Sequence, residues 1–435
     1  MAAPALAKRP CSNPSSSASC REAKRLRAAA PVPMERHDDA AAAAVASSRT
    51  TMSQSQPLLP GLPDHLAQLC LSTLPPRLMQ AVCRPWRRVL YAPSFPPFRS
   101  LYALLEDAGD GGASFAAYDP IAARWDCLPA PPMPSPPPTL CHPSFLSRRL
   151  PLQSVAAAGK LVLVAGSTQS LHPALCRPLV FDPAAAPAPR WLVGPRVPLA
   201  PRRWCAAGAA QGRVFVAGGV GAGYDLAVAR SGATWDPATP SAPWEPLPPL
   251  RDGRFSRDAA EAVCSGGKVC MVNLRGSGAK EGAVFDLVAG RWEDMPPGML
   301  AGWKGPAAAS PDSGDTIFVV DEERGALNAY DWGSDRWTTV AEAGFLKGAA
   351  EMAAGGGRVC IVSHGGAKVV VVDVTPKARS RGSTTPAPPR MWEVEAPAGR
   401  RVVSLHVLPR MTRPELFLNS LCAASTKHVL SIGLA

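Results

Sequence analysis

Five stretches of this chain carry residue types that could read an anion. They are Arg148-Arg149, Arg202-Arg203-Trp204, Arg254-Phe255-Ser256-Arg257, Trp303-Lys304 and Lys347. Guanidinium and ammonium groups donate charge-assisted hydrogen bonds to carboxylate or phosphate. A neighbouring indole or phenyl ring adds apolar and cation–π contact. Brought onto one rim, the five stretches would form a basic, aromatic-lined pocket for an acidic or phosphorylated protein segment. The alternative is a set of solvated loop cations, each contributing little.

Other chemistry finds less support. The seven histidines (His37, His65, His142, His172, His364, His406 and His428) are isolated, and the five tyrosines do not cluster. The twelve cysteines form no CxxC pair and stand beside no histidine at zinc-ligand spacing. Cys264, Cys270 and Cys360 lie in apolar runs, where a free thiol behaves as a small hydrophobe. No catalytic residue, metal site or cofactor is expected. The net charge of +12 invites a nucleic-acid reading, but the positive residues are scattered and no helix-turn-helix or RNA-binding signature is present. There is no secretory apolar region and no apolar run of about 18 residues. The expected setting is intracellular, nucleus and/or cytoplasm, with no membrane partner.

A repeat must position those loops. An apolar or aromatic residue followed by Asp, then a Trp, recurs six times: Tyr118-Asp119…Trp125, Phe181-Asp182…Trp191, Trp235-Asp236…Trp244, Phe285-Asp286…Trp292, Tyr330-Asp331…Trp337 and Val372-Asp373…Trp392. The Asp-to-Asp intervals are 63, 54, 50, 45 and 42 residues. A period near 50 marks an array whose units bury their apolar faces against one another. Upstream of five of the motifs runs an apolar segment: Lys160–Gly166, Arg213–Gly219, Lys268–Val272, Thr316–Val320 and Arg358–Val362. These read as strands next to a central channel, packed on both faces. One repeat is then a four-stranded antiparallel blade, and the loops preceding the first strands share one face of a β-propeller. The first motif lacks its upstream strand, and Arg401–Leu408 could supply it, closing the ring and removing its open edges. The Asp positions read as turn formers.

Residues 1–56 are Ala-, Ser- and Pro-rich and read as a disordered tail. Its basic clusters, Lys8-Arg9 and Lys24-Arg25-Leu26-Arg27, fit either a nuclear import signal or a solvated tail. Residues 57–100 change character: Leu66, Leu69 and Cys70 fall at helical spacing after Pro63-Asp64, and Leu78, Val82, Cys83, Trp86 and Leu90 form a second stripe. A module of about 45 residues cannot build a robust core alone, so its stripe needs the propeller or a partner. Insertions at 129–143 and 376–390 read as loops, and 411–435 as a tail without assigned structure.

The repeats resemble kelch repeats: Gly218-Gly219 and Gly365-Gly366 are double glycines, followed by the aromatic-Asp and Trp positions. The repeats around Val272 and Val320 have lost the pair. Leu62-Pro63-Asp64…Leu74-Pro75…Val82-Cys83-Arg84-Pro85-Trp86-Arg87-Arg88-Val89-Leu90…Pro93-Ser94-Phe95 resembles an F-box. Pro85 departs from that pattern, since a proline inside a helical stripe kinks it or marks its first turn. Over residues 57–410 the chain is similar to plant F-box/kelch-repeat proteins of the Skp-interacting-partner group, which includes the karrikin-upregulated F-box protein. The resemblance implies a mainly β fold: a six-bladed kelch-type β-propeller over 101–410, preceded by a small α-helical F-box over 57–100. It implies a substrate-recognition subunit of an SCF-type ubiquitin ligase, itself non-catalytic. The F-box would dock on a Skp-type adaptor and, through it, a cullin, while the propeller presents the protein target. The matching adaptor-binding positions are Leu62, Pro63, Leu66, Leu69, Leu71, Leu74, Pro75, Val82, Cys83 and Trp86. Some of these could instead hold the module's own helices together. A kelch scaffold without ligase function and a kelch-type enzyme are the competing readings.

Overall fold

The computed structural model describes residues 57–413 except 108–112, 133–151, 168–171, 199–201, 222, 224, 240, 254, 256–259, 274–279, 311–315 and 376–388. The expected tail 1–56, most of the two insertions and residues 414–435 lie outside this set.

Three short helices come first: α1 (Asp64–Ser72), α2 (Pro76–Val82) and α3 (Arg84–Tyr91). Prolines punctuate them. Pro63 and Pro75 occupy the extended positions before α1 and α2. Pro76 and Pro85 sit in the first turns of α2 and α3, where no backbone N–H is needed. The second apolar stripe is therefore two helices, broken at Cys83, which is fully extended (φ −154°, ψ 167°).

The rest of the described chain is a ring of six four-stranded antiparallel sheets. The first contains β1 (Arg99–Asp107), β2 (Ala113–Asp119) and β3 (Arg124–Cys127). The second is β4 (Gln153–Ala157), β5 (Lys160–Ala165), β6 (Leu179–Asp182) and β7 (Arg190–Val193). The third is β8 (Ala206–Ala210), β9 (Arg213–Ala217), β10 (Gly232–Trp235) and β11 (Glu245–Leu247), with α4 (Leu226–Arg230) between β9 and β10. The fourth is β12 (Ala260–Ser265), β13 (Lys268–Asn273), β14 (Glu281–Asp286) and β15 (Arg291–Asp294), followed by α5 (Pro297–Gly302). The fifth is β16 (Ala307–Ser310), β17 (Thr316–Asp321), β18 (Ala326–Asp331) and β19 (Arg336–Glu342). The sixth is β20 (Glu351–Gly355), β21 (Arg358–Val362), β22 (Lys368–Asp373) and β23 (Met391–Glu395). The last strand, β24 (Arg400–Pro409), completes the first sheet in the order β24-β1-β2-β3, so the two ends of the ring share one blade.

The long apolar runs turn out to be second strands, not innermost ones. The channel strands are β4, β8, β12, β16, β20 and β24, and the first five are rich in Ala, Gly and Ser. Six strands converging on one axis leave no room for bulky side chains. The second strands, packed on both faces between neighbouring blades, take Val, Leu, Ile and Phe.

The recurrent motif is structural throughout. In five blades the Asp ends the third strand, and in the other Asp236 directly follows it; its Oδ1 accepts backbone N–H groups from the turn that follows: Ile121 and Ala122 for Asp119, Ala184 for Asp182, Ala238 for Asp236, Val288 and Ala289 for Asp286, Gly333 for Asp331, and Thr375 for Asp373. The Trp on the outer strand faces the aromatic residue across the ladder in four blades: Tyr118↔Trp125, Phe181↔Trp191, Phe285↔Trp292 and Tyr330↔Trp337. Its indole N–H then hooks a carbonyl outside its own sheet: Glu395 for Trp125, Pro129 for Trp191, Pro195 for Trp244, Pro248 for Trp292 and Met299 for Trp337. In the sixth blade the register slips by one, pairing Trp392 with Val371.

Two of the double-glycine positions are required by close approach. A Cβ on Gly219 (φ +86°) would lie 2.7 Å from the Arg203 carbonyl oxygen, and one on Gly366 (φ +76°) 2.5 Å from that of Val402.

Candidate functional site

Two surfaces collect the residues singled out from the sequence. The first is the helical module. Its core is small: Leu71, Met79, Leu90, Tyr91 and Phe95 are buried, with Leu58, Leu59, Leu74, Trp86, Val89 and Ile121 packed around them. Ile121 belongs to the first blade, so the module closes its core against the propeller. The joint is polar as well. The Tyr91 hydroxyl donates to Asp119 Oδ2 at 2.7 Å, and Arg413 donates to Asp119 at 3.1 Å and lies over the Tyr91 ring at 4.6 Å. Arg413 also pairs with Asp126. Arg410, 3% exposed, donates to the Tyr91, Ala92 and Phe95 carbonyls at 3.3, 2.8 and 3.3 Å. Burial and the adjacent Asp119 push the Tyr91 hydroxyl pKa well up, so it stays a donor.

With that core closed, a set of large apolar side chains is left in solvent: Leu62 (39% exposed), Leu66 (41%), Leu69 (65%), Leu78 (47%) and Val82 (51%). Pro63 and Pro75 are exposed beside them. The sequence-predicted adaptor positions thus divide. Leu62, Pro63, Leu66, Leu69, Pro75 and Val82 face outward, whereas Leu71 is buried and Leu74, Cys83 and Trp86 are partly buried. Trp86 is a structural residue: its indole N–H donates to the Leu58 carbonyl at 2.9 Å, tying the entry segment to α3. Leu78 was missing from the predicted set. Its spacing of four from Val82 on α2 was the available signal.

The second surface is the loop face. Arg148, Arg149, Arg254 and Arg257 lie outside the described residues. Of the others, only Lys304 and Lys347 are exposed, and Lys304 pairs with Asp321 at 3.4 Å. Trp204, Phe255 and Trp303 are buried at 4%, 1% and 0% exposure. Trp303 packs edge-on against Trp337. The Arg203 guanidinium stacks 4.4 Å over the Trp204 ring and is itself 5% exposed. Arg202 (3% exposed) donates to the Gly218 and Ser231 carbonyls at 3.2 Å each and to Ser231 Oγ at 2.9 Å. Among the described residues, the exposed ring of cations and aromatics expected at the channel mouth keeps only Lys304 and Lys347 on the surface. These loops drop between blades, where burying a large ring is worth more than presenting it to water. Phe255 and Trp303 lie in core clusters shared by adjacent blades, and the two arginines lie under the surface.

The channel, a cavity of about 520 Å³, is lined by small residues such as Ser154, Ala156, Ala207, Ala209 and Cys264, together with His406. His406 Nε2 lies 2.8 Å from Ser154 Oγ and 3.4 Å from Ser404 Oγ. Burial pushes the imidazole down to about 4, so it is neutral near pH 7. The unfolded chain therefore binds a proton below about pH 6.5 that the folded chain refuses. The resulting stability is complete above that pH and lost as pH falls toward 4. The loss is at most about 3 kcal/mol, and less to the extent that the partly exposed ring reaches channel water. Thermal midpoints at pH 7 and 4.5 should fall further apart in the wild type than in His406→Gln. Equal spacing would contradict this. Among the described residues no group of three or more His, Cys, Asp or Glu is arranged to hold a metal ion, and no described helix is long and apolar enough to cross a membrane.

No protein-family model matches the chain. It is 43% identical over 383 residues to the F-box/kelch-repeat protein SKIP25 of Arabidopsis thaliana, covering 84% of this chain and 92% of that protein. Two other Arabidopsis thaliana proteins are each 25% identical over 62% of the chain: F-box protein AFR, with 70% of its length covered, and F-box/kelch-repeat protein SKIP4, with 71%.

Proposed function

Since this chain belongs to the plant F-box/kelch-repeat proteins, we propose that it is the substrate-recognition subunit of an SCF-type ubiquitin ligase. The F-box docks on a Skp-type adaptor that links it to a cullin, and the propeller holds a protein target for ubiquitination and proteasomal degradation. The observation that carries the reading is the exposed apolar set Leu62, Leu66, Leu69, Leu78 and Val82 on a module whose own core is already closed. Such side chains suit helix-in-groove association, each anchor contributing about 1.5–3 kcal/mol on burial. The protein itself contributes geometry rather than bond chemistry. Tyr91, Arg410 and Arg413 join the helical module to the first blade, so an adaptor bound to one and a target bound to the other keep a fixed spacing. The compartment that suits this role is the nucleus and/or cytoplasm.

Co-purification with adaptor and cullin tests the reading. The double substitution Leu66→Asp/Leu69→Asp should lower adaptor affinity roughly 100-fold or more and leave the thermal midpoint of the propeller unchanged. Retained adaptor and cullin would contradict the proposal. No co-purification of the wild type would favour a scaffold without ligase function. Trp86→Ala provides the contrast, because it should lower stability before it touches docking.

A further inference from the structure

Beside α4 on the third blade lies an open pocket of about 590 Å³, within the range of small-molecule sites. Its walls are largely apolar, with Leu226, Pro246 and Leu247 among them, and Leu226 is 61% exposed. Two arginines also line it, Arg202 and Arg230, and no acidic residue does.

Arg202 is the unusual member. It is 97% removed from solvent, being 3% exposed, yet its three hydrogen bonds all go to neutral oxygens, and its Nε has no partner. Among the described residues no carboxylate forms an ion pair with it. A buried cation is ordinarily matched by an anion, because its desolvation is otherwise uncompensated. Burial accordingly holds its pKa below the usual guanidinium value. Arg230, at the C-terminal end of α4, is exposed and spends only Nε, on the Leu250 carbonyl at 3.0 Å. The outer strand offers no counter-charge either, since Glu245 is taken by Arg213 at 2.7 Å.

We propose that this pocket binds an amphipathic small-molecule carboxylate, its anionic head between Arg202 and Arg230 and its apolar body against Leu226, Pro246 and Leu247. The planar fork of a guanidinium suits a carboxylate in two-point contact. The apolar walls on the Arg202 side lower the local dielectric and so strengthen its pairing with an anion. The site shares no residue with the exposed apolar set of the helical module.

Isothermal titration of the full chain tests it, with phenylbutyrate, its neutral amide and inorganic phosphate as probes. Phenylbutyrate should bind saturably, and both the amide and phosphate at least tenfold more weakly. Arg230→Gln and Leu226→Asp, both at exposed positions, should each weaken phenylbutyrate roughly tenfold and leave the thermal midpoint unchanged. Arg202→Gln should abolish binding, and the two surface variants decide the matter if it fails to fold. The proposal is overturned by equal binding of acid and amide, by phosphate as tight as the acid, by unchanged affinity in both surface variants, or by no saturable binding at millimolar probe.

Discussion

A chain ended at Gly399 should not form a cooperative propeller, because it lacks β24. That element supplies the channel strand of the first blade and pairs with β1 along nine positions, from Arg99↔Pro409 to Asp107↔Arg400. It buries Val402, Leu405 and Leu408 at 1–3% exposure. Those three side chains alone represent about 4.5–9 kcal/mol of apolar burial, against a total stability of about 5–15 kcal/mol for a folded domain. Without β24, β1 becomes an open edge whose residues Leu101–Leu105 are otherwise buried, and an apolar edge strand of that kind invites aggregation. Arg401 is lost too, with its ion pair to the buried Glu106. Near-UV circular dichroism and calorimetry would read the outcome. A sharp melt from the shorter chain would contradict it.

Replacing Arg410 should weaken the joint between the helical module and the ring. Arg410→Met leaves the Tyr91, Ala92 and Phe95 carbonyls without their guanidinium donor at the end of α3. Hydrogen bonds to a charged group contribute about 1.5–3 kcal/mol each. Relief of the arginine's own desolvation offsets part of this, so the net loss should be about 3 kcal/mol. Arg410→Lys should not restore it, because a single ammonium cannot span carbonyls that a planar fork reaches together. The backbone bond from the Arg410 N–H to the Phe98 carbonyl persists in either variant, so β24 should stay paired. Hydrogen exchange over 64–91 should therefore rise more than exchange over β1 and β24. A melt within about 0.5 kcal/mol of wild type, the range of an ordinary surface change, would show that the joint does not depend on this residue.

The two forecasts differ in how visible they were beforehand. Closure of the ring could be anticipated, because the Tyr118 repeat lacks an upstream strand and Arg401–Leu408 has the makings of one. The Arg410 joint could not. Its partners stand 315–319 residues away, and nothing local distinguishes this arginine from any other. The same division runs through the candidate sites. Leu66, Leu69 and Val82 could be picked out as anchors, but Leu71 and Trp86 share their residue types and face inward. Which side of a short helix meets the core depends on what it packs against, here Ile121 and Phe98 of the adjoining chain.

The repeat carried the count of six blades and the turn role of each Asp, because period, residue type and local hydrogen bonding are properties of adjacent positions. The channel strands escaped notice. Their Ala, Gly and Ser content reflects convergence on an axis, a constraint set by neighbours far away in sequence. Of the loop residues that are described, Arg202, Arg203, Trp204, Phe255, Trp303, Lys304 and Lys347 precede the first strands of their blades as predicted, and folding turned Arg202, Trp204, Phe255 and Trp303 inward. Spacing along a chain assigns a residue to a loop. Whether its side chain meets water or the next blade is settled by the gap between sheets, and that gap exists only once the ring has closed.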